Sequence, residues 1–278
     1  MIYSTLLKSL LSKLDILTYK KWNNQPLTVK PIATKEKYYD LWKKASSVNN
    51  PDVTEFEKKT GHKIERKWLD NLALKTQIVV KKSQINYAHG KILYSALCEY
   101  ILKNPSKIKN VIILETGTAR GFSSLCMAKA LDDNNVPGSI ITYDVLPHTK
   151  KIYWNCVTDH TDGPLSREEL LEPWNDLISK YIIFHQGYST IELKKIALQR
   201  INFAFLDGAH SYQDVFFEFN MIKNRQLNGD IIIFDDYNEK LFPGIVKAVD
   251  EICSKYDYEK KIIKSFDSRS YVIAKKSR

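Results

Sequence analysis

Short, mostly apolar runs alternate with longer amphipathic stretches along the last two thirds of the chain. Runs of this kind between turn residues are typical of strands buried on both faces of a parallel sheet. The chain has five of them, at residues 111–114, 139–143, 181–185, 201–207 and 230–235. Strands that alternate with helices predict a doubly wound α/β sheet, whose ligands lie beyond the carboxyl ends of the strands.

Three further patterns complete the predicted α/β region. Residues 83–102 place apolar side chains on one helical face and predict the helix that leads into the first strand. Ser211 and Asp214 form a capping-box pattern, which predicts the start of a helix after the fourth strand. Residues 259–266 and 269–275 predict a C-terminal antiparallel hairpin, so that the sheet has seven strands.

The first 82 residues show helical periodicity and no strand pattern, which predicts a mainly helical extension. The apolar face of its first helix is expected to pack on the body of the protein or on a second subunit in a homo-oligomer, with a membrane interface as a further alternative. We therefore divide the chain into an extension at 1–82, a substrate cap or oligomer contact, and an α/β domain at 83–278. The apolar positions of the first helix are Leu6, Leu7, Leu10, Leu11, Leu14 and Leu17.

The net charge of +10 is concentrated in the N-terminal third of the chain. Residues 1–90 hold 17 Lys and Arg against 8 Asp and Glu, whereas residues 91–278 hold 25 against 24. A basic appendage on a neutral domain attracts a phosphate-bearing substrate, an anionic membrane surface or nucleic acid, or it is a solvated lysine-rich surface. The charge by itself does not decide among these alternatives.

The cysteines and the hydropathy of the chain restrict the class of protein. No window reaches the ~18 to 20 uninterrupted apolar residues of a membrane span. Lysines interrupt the N-terminal segment, so we predict no signal peptide. The cysteines follow neither C-x-x-C nor zinc-ligand spacing, and a reduced, cytoplasmic setting is therefore expected. They are Cys98, Cys126, Cys156 and Cys253.

A strand, a glycine turn and a helix start follow one another at residues 111–124. Gly117 and Gly121 permit a tight turn and a close approach of backbone to a ligand, and the N–H groups at the helix start can hold an anionic group. The spacing departs from the G-x-G-x-x-G dinucleotide fingerprint because Glu115 ends the strand. Its carboxylate can accept from an ammonium group, which NAD lacks. The pattern therefore favours S-adenosylmethionine.

A second acid ends the next strand. Asp144 follows the run at 139–143, where a carboxylate can take both hydroxyls of a ribose. Acids often follow strands, but two strand-end acids beside a glycine turn are a more specific combination. Together they favour a cofactor that contains a nucleoside.

At these residues the chain resembles the class I S-adenosylmethionine-dependent methyltransferases. It resembles more narrowly the group of macrocin O-methyltransferases and other sugar O-methyltransferases, with cephalosporin-hydroxylase-like proteins nearby. The resemblance spans roughly Tyr87 to Ala274. It implies a Rossmann-like, seven-stranded methyltransferase sheet and the methylation of a hydroxyl on a sugar, a nucleotide-linked sugar or another small polar acceptor.

The turn after the third strand is where this resemblance implies a contact with the adenine of the cofactor. Family members often carry an acid after the glycine, but Tyr188 follows Gly187 here, and an aromatic ring can pack on the base instead. The residues expected to bind the cofactor are Glu115, Thr116, Gly117, Gly121, Ser123, Asp144, Gly187, Tyr188, Ser189 and Asp207.

Three carboxylates are expected to converge at the ends of the fourth and fifth strands. Asp207, Asp235 and Asp236 would repel one another unless a cation or a proton lies among them. Oxygen ligands without a pair of Cys or His residues select Mg²⁺, or Mn²⁺ or Ca²⁺, over Zn²⁺. Such an ion chelates substrate hydroxyls and lowers the pKa of the one to be methylated. Without an ion, one Asp would cap a helix and another would pair with Lys or Arg.

His210 follows Asp207 by three residues and has the pKa range of a general base. A hydrogen-bonded histidine at the rim of the site is the alternative. His210 and Asp207 are therefore the predicted catalytic residues.

The start of the helix at 83–102 and the insertion at 148–180 are expected to line the rim of the site, because long loops at the carboxyl edge of a sheet often do so. For His89 a hydrogen-bonded surface position is the alternative. The rim candidates on the helix are Asn86, Tyr87, His89 and Gly90.

A short-chain-type reductase competes with this interpretation. Its two motifs match by letters at the glycine turn and at Tyr256-x-x-x-Lys260. However, Ser123 replaces the expected third glycine, and the acidic cluster would have no role.

Two other functions are also considered. An RNA methyltransferase would use the basic N-terminal third, but residues 207–210 read DGAH where a base-methylating enzyme carries an N/D-P-P-Y type motif. This disfavours a nucleic-acid partner. A non-catalytic scaffold would bind no cofactor at all.

Overall fold

The computed structural model describes residues 30–104, 109–266 and 268–278, and the helix predicted at residues 6–17 lies outside them. The apolar runs form strands at the predicted places, with boundaries shifted by at most two residues. The strands are β1 (Val111–Thr116), β2 (Gly138–Asp144), β3 (Ile182–Gln186), β4 (Phe203–Leu206), β5 (Ile231–Phe234), β6 (Tyr258–Lys264) and β7 (Ser270–Lys276).

The seven strands form one sheet in the order β3-β2-β1-β4-β5-β7-β6. Strands β1 to β5 run parallel, whereas β7 pairs antiparallel with both β5 and β6. The predicted Rossmann-like sheet with a C-terminal antiparallel hairpin is thus confirmed. The strand order reverses between β1 and β4, and a doubly wound sheet binds its ligands at such a switch point.

Helices cover both faces of the sheet, and two 3₁₀ turns lie at Glu172–Trp174 and Lys223–Arg225. No helix in the described part of the chain has the length and apolar character needed to cross a bilayer. The helices are α1 (Lys35–Ser46), α2 (Pro51–Thr60), α3 (Arg66–Thr76), α4 (Ala88–Lys103), α5 (Phe122–Asp133), α6 (Thr158–Thr161), α7 (Arg167–Leu170), α8 (Asn175–Tyr181), α9 (Ser189–Glu192), α10 (Tyr212–Ile222) and α11 (Pro243–Lys255).

Local hydrogen bonds explain where two of the predicted helices begin. α4 begins five residues later than predicted, because Asn86 Oδ1 accepts a hydrogen bond from the Ala88 amide at 2.9 Å in an Asx turn. α10 begins as predicted, since Ser211 Oγ accepts from the Asp214 amide at 3.2 Å. α11 was not predicted, and residues 148–180 were expected to form a loop, although α6, α7 and most of α8 lie within them.

Successive residues of a strand belong to two different hydrophobic clusters, which lie on opposite faces of the sheet. Ile113 belongs to the first cluster and Leu114 to the second, because successive side chains of a strand point to opposite faces. Helices α1 to α5 pack into the first cluster, and α10 and α11 pack into the second. Residues 30–82 therefore share a core with the sheet, and the domain boundary at residue 82 stays a prediction.

Asn155 connects the insertion to the helical extension. It is fully buried and has a φ of 54°. Its Oδ1 accepts hydrogen bonds from the Tyr38 hydroxyl at 2.8 Å and from the Val80 amide at 3.1 Å. Its side-chain amide donates to the Val80 carbonyl at 2.9 Å. One buried amide side chain of the insertion thus satisfies polar groups from two other segments of the chain, at Tyr38 and Val80.

Candidate functional site

The glycine turn after β1 brings two strand ends into contact. Gly117 has a φ of 89°, and a Cβ at this position would lie 2.2 Å from the Asp207 carbonyl oxygen. Gly121 has a φ of 85°, and a Cβ there would lie 2.7 Å from Leu171 Cδ1. Both glycines are required by packing within the protein as well as by backbone conformation. Their contact with a cofactor stays a prediction.

Glu115 lies at the carboxyl end of β1 and is fully buried. The Ser124 hydroxyl donates to its Oε2, whereas Oε1 has no hydrogen-bond partner among the residues described. Burial raises the pKa of Glu115, and the hydroxyls of Ser123 and Ser124 in the first turn of α5 oppose that rise. A buried acceptor without a donor is costly, and an ammonium group would satisfy it.

Asp144 ends β2 beside the glycine turn. Its two oxygens accept from the Ala119 amide at 2.6 Å and from the Leu146 amide at 2.7 Å. The Arg167 guanidinium, which the sequence analysis did not single out, lies 3.9 Å from Asp144 Oδ1 and is 1% exposed. Burial lowers the pKa of Arg167, and the charge of Asp144 opposes this. A carboxylate has about four acceptor positions, so Asp144 can still accept from ribose hydroxyls.

The turn after β3 lies against the end of β2. The Gly187 amide donates to the Asp144 carbonyl at 2.8 Å. Tyr188 is 43% exposed, and it immediately precedes α9. Its ring is therefore accessible at this edge of the sheet, as the predicted contact with the adenine of the cofactor requires.

Glu218 of α10 joins this turn to the end of β1. The Thr116 hydroxyl donates to its Oε2 at 3.0 Å, and the Ser189 hydroxyl donates to its Oε1 at 2.6 Å. Burial raises the pKa of Glu218 to about 7, although the two hydroxyl hydrogen bonds oppose the rise. Sequence analysis missed this residue. The available signal was an acid placed on the apolar face of α10, at helical spacing from Val215 and Ile222.

Two acids and a histidine meet at the carboxyl ends of β4 and β5. The ligand atoms of Asp207, His210 and Asp236 all lie within 4.8 Å of one another. His210 Nε2 lies 2.9 Å from Asp236 Oδ2, and Arg269 Nε lies 3.9 Å from Asp236 Oδ1. Among the residues that the structure describes, these three side chains have ligand atoms close enough together to bind one metal ion.

Asp235, the third predicted metal ligand, is buried at the end of β5 and lies outside that group. Its Oδ1 accepts from the Asp236 amide at 2.6 Å. Asp236 has a φ of 54°, an uncommon conformation for a residue other than glycine. The sequence analysis expected three carboxylates to converge, whereas this conformation aims the Asp236 side chain at His210.

The crowded charges change the pKa values of the site. Burial, followed by the charges of Asp235 and Asp236, raises the pKa of Asp207 well above its usual range. Burial and Asp236 raise the pKa of Asp235 to about 7. Burial would also raise the pKa of Asp236, but the hydrogen bond to His210 and the charge of Arg269 outweigh it and lower that pKa. The same hydrogen bond raises the pKa of His210. A cation would relieve the repulsion among these carboxylates.

His89 is buried at this edge of the sheet, in contrast to the surface position considered above. Its ring stacks on Phe205 at 6.2 Å and meets the edge of Phe122 at 4.8 Å. Its Nδ1 has no hydrogen-bond partner among the residues described, and burial lowers its pKa to about 3. The ring is therefore neutral and packs behind the site as an aromatic group.

The second reductase motif does not reach the glycine turn. Tyr256 packs on Phe219 with ring centroids 5.0 Å apart, in the cluster beneath α10 and α11. Lys260 lies in β6 and pairs with Asp250 at 2.6 Å. These side chains are engaged elsewhere in the fold.

Comparison with protein families places a known type of domain on this part of the chain. Residues 114–237 match a family model described as a methyltransferase domain. The match runs from β1 through β5 and includes every residue of the acidic group. No curated protein matches the chain in sequence.

Solved structures of O-methyltransferases share the fold. The O-methyltransferase NovP is 19% identical, with a TM-score of 0.53 over 72% of this chain and 84% of its own. The Bacillus cereus O-methyltransferase in complex with SAH is 15% identical, with a TM-score of 0.50 over 87% of this chain and 100% of its own. TomG from Streptomyces achromogenes, in complex with SAM, is 15% identical, with a TM-score of 0.50 over 78% of this chain and 92% of its own. At these identities the likeness establishes the fold.

Proposed function

We propose that this chain, which carries a methyltransferase domain at residues 114–237, transfers a methyl group from S-adenosylmethionine to a hydroxyl of a sugar or another small polar acceptor. The observation that carries the proposal is the group of Asp207, His210 and Asp236 beside the glycine turn, at the switch point of the sheet. A hydroxyl must lose its proton to accept a methyl group. This group combines a titratable base with carboxylates that suit a divalent cation.

The residues at the ends of β1, β2 and β3 fit S-adenosylmethionine. Glu115 Oε1 is a buried acceptor without a partner among the described residues, which suits the ammonium group of the cofactor. Asp144 has acceptor capacity left for ribose hydroxyls, and the Tyr188 ring is exposed for the adenine. Structures of the same fold in complex with SAH and with SAM support this assignment.

The acidic residues fit Mg²⁺, Mn²⁺ or Ca²⁺, with Asp207, Asp235 and Asp236 as the proposed ligands. Asp207 and Asp236 already lie together, and Asp235 has a second oxygen besides the one that accepts from the Asp236 amide. When bound, such a cation lowers the pKa of the acceptor hydroxyl, and S-adenosylmethionine supplies the methyl group.

His210 is the proposed general base. Asp236 accepts the hydrogen bond from the protonated ring, which orients the ring and raises its pKa. His210 can accept the hydroxyl proton only when it is neutral, so we expect the rate to fall as the pH is lowered through a value above the ordinary 6.5. Arg269 Nε lies 3.9 Å from Asp236 Oδ1, and its charge helps to keep Asp236 ionised by lowering the pKa of that carboxyl.

Binding experiments test the cofactor and the cation separately. Calorimetry with S-adenosylhomocysteine should show binding that Asp144→Ala weakens by about 1 to 3 kcal/mol, the cost of a lost charge-assisted hydrogen bond. Titration with Mn²⁺ should show binding that Asp207→Asn abolishes and that Asp250→Asn, a change at an exposed acid, leaves intact. A protein that binds NADPH and ignores S-adenosylhomocysteine would refute the proposal.

Turnover is measured as S-adenosylhomocysteine released with a panel of sugars and nucleotide-linked sugars. We expect chelation or Asp207→Ala to remove activity while S-adenosylhomocysteine still binds, because the glycine turn and Asp144 are expected to provide most of the contacts to the cofactor. His210→Ala should lower the rate by roughly 10²- to 10⁴-fold, with partial recovery at high pH, where the hydroxyl ionises without help. Full activity in excess chelator would exclude the cation from the reaction.

A further inference from the structure

A polar cavity lies between the helical extension and α4. It has a volume of about 280 Å³. Its walls come from the α1–α2 connection, α2, the start of α3, the start of α4 and the β6–β7 turn. Tyr87, which immediately precedes α4, and Lys91 of α4 line it, whereas His89 packs against Phe205. All of these lining residues lie outside the matched methyltransferase domain at 114–237.

Glu57 is the most unusual group of the cavity wall. Its side chain comes from α2, is 4% exposed, and has an Oε1 atom without a hydrogen-bond partner among the described residues. Burial raises the pKa of this carboxyl, and the charges of Lys91 and Lys63 oppose the rise. Because Oε1 is unpartnered, neither lysine reaches it. A buried acceptor of this kind costs about 1–3 kcal/mol unless a ligand or water donates to it.

Of the other charged groups of the wall, Asp70 and Arg66 bind to groups of the protein, whereas Lys63 and Lys91 face the cavity. Asp70 is already engaged, since it accepts from the Tyr87 hydroxyl at 2.8 Å and lies 3.4 Å from Arg66. Arg66 also donates to the Ser46 carbonyl at 2.9 Å, which closes the wall between α1 and α3. Lys63 and Lys91 face the cavity beside Glu57. The lining thus has three basic residues and two acidic ones, which favours a ligand that carries negative charge.

The neutral lining suits a ring that carries hydroxyl groups. Asn49 and Thr54 add an amide and a hydroxyl, and Phe266 and Tyr87 add aromatic surface. Small-ligand sites combine apolar or aromatic walls with a few placed polar groups in roughly 300–1,000 Å³. This cavity lies near the lower limit, so its size suits one sugar ring with an anionic group.

We propose that this cavity binds a small polyhydroxylated anion, a sugar phosphate or a sugar carboxylate. A ligand hydroxyl donates to Glu57 Oε1, and Lys63 and Lys91 bind the anionic group. The proposal does not rest on the proposed methyl transfer, because Glu57, Lys63 and Lys91 belong to neither the cofactor residues nor the acidic group described above. It gives the basic N-terminal third of the chain a defined anionic ligand.

The test is calorimetry on the full chain with glucose 1-phosphate, without cofactor. We expect saturable binding that Glu57→Gln and Lys91→Met each weaken by roughly 10- to 100-fold, the range for a lost charge-assisted hydrogen bond. Glu55→Gln is the matched control, because Glu55 lies on the same helix, pairs with Lys59 in solvent and is absent from the cavity wall. It should leave the affinity unchanged.

Further ligands distinguish a phosphate from a carboxylate as the anionic group of the bound sugar. Glucuronate in place of glucose 1-phosphate shows whether a carboxylate suffices, and glucose alone should bind at least 10-fold more weakly than the better anion. Inorganic phosphate that binds as tightly as glucose 1-phosphate would overturn the assignment of a sugar. Absence of saturable binding with both anions, or full affinity in a folded Glu57→Gln variant, would overturn the site. S-adenosylhomocysteine binding and thermal unfolding of each variant report the fold, so that failure here and failure of the methyltransferase proposal are distinguishable.

Discussion

Glu218 is a buried acid held by two neutral hydroxyl groups at the edge where the cofactor is proposed to bind. Its raised pKa, about 7 against an ordinary 4.5, means that the folded protein keeps this proton to higher pH than the unfolded chain does. Such a group lowers the free energy of unfolding as the pH rises from about 4.5 to about 7, after which its effect is constant. The hydrogen bonds that Glu218 accepts from Thr116 and Ser189 offset part of this loss of stability and connect the end of β1 to the start of α9.

We predict that Glu218→Gln becomes more stable relative to the unaltered protein as the pH rises. Glutamine keeps one acceptor and gains a donor, so both hydroxyl contacts can persist while the buried charge is removed. Between pH 5 and pH 8 the difference in free energy of unfolding should change by roughly 2 to 3 kcal/mol, at about 1.4 kcal/mol per pKa unit. Urea unfolding at both pH values measures it, with the exposed Glu55→Gln as the control. Parallel pH profiles for Glu218→Gln and the unaltered protein would contradict the assigned pKa.

The strand, turn and helix at residues 111–133 form the element on which the site depends. The parallel pairing of β1 with β4 places Thr116 opposite Leu206, and the next residues of both strands then meet at Gly117 and Asp207. The glycine turn therefore holds the backbone of a proposed metal ligand. A change in this turn should disturb stability and the acidic group together.

We predict that Gly117→Ala is more harmful than Gly229→Ala. Both glycines have positive φ, but a Cβ at Gly229 has no neighbour within 4 Å, whereas at Gly117 it meets the Asp207 carbonyl. Gly229→Ala should cost about 1–2 kcal/mol for the left-handed backbone. Gly117→Ala should cost about 1–3 kcal/mol more for overpacking, and it should weaken Mn²⁺ binding. Urea unfolding measures the stability and calorimetry measures Mn²⁺ binding. Equal losses of unfolding free energy in the two variants would contradict the prediction, because they would show that the backbone at Gly117 and Asp207 can move apart to accommodate a Cβ.

At the scale of the molecule, the helical extension is part of the fold. Buried residues of α1, α2 and α3, including Tyr38, Val53 and Leu69, belong to the same hydrophobic cluster as α4 and α5. Asn155 adds polar contacts between the insertion and residues 38 and 80. The homo-oligomer and the contact of the first helix stay predictions, since residues 6–17 lie outside the described residues.

We predict that deletion of residues 1–82 destroys cooperative unfolding and S-adenosylhomocysteine binding, because it exposes the apolar surfaces of α4 and α5. Deletion of residues 1–29 keeps all of these core contacts and should keep both properties. Thermal unfolding, calorimetry and the mass in solution measure the outcome. A soluble 83–278 fragment that binds S-adenosylhomocysteine would instead establish the predicted domain boundary.

Local patterns in the sequence were sufficient to predict the parallel strands, the hairpin and the glycine turn. They succeed because apolar runs, turn residues and glycine spacing are properties of neighbouring residues, and parallel strands place their carboxyl ends at one edge. The same reasoning brought Asp207, Asp235 and Asp236 to that edge before any contact was known. It missed α11, although Pro243 at the helix start and the helical spacing of Ile245, Ala248, Val249 and Ile252 are local signals, and it missed the short helices of the insertion.

The sequence by itself determined the class of fold, the edge of the sheet that carries the chemistry and the residue types available there. Only the tertiary structure decided that His210 joins Asp236, that Glu218 bonds to Thr116, and that Glu57 faces a cavity with an unpartnered oxygen. The first two contacts join residues 26 and 102 positions apart. Side-chain contacts at such separations follow from the packing of whole elements, and no local pattern encodes which polar atoms then meet or remain without a partner.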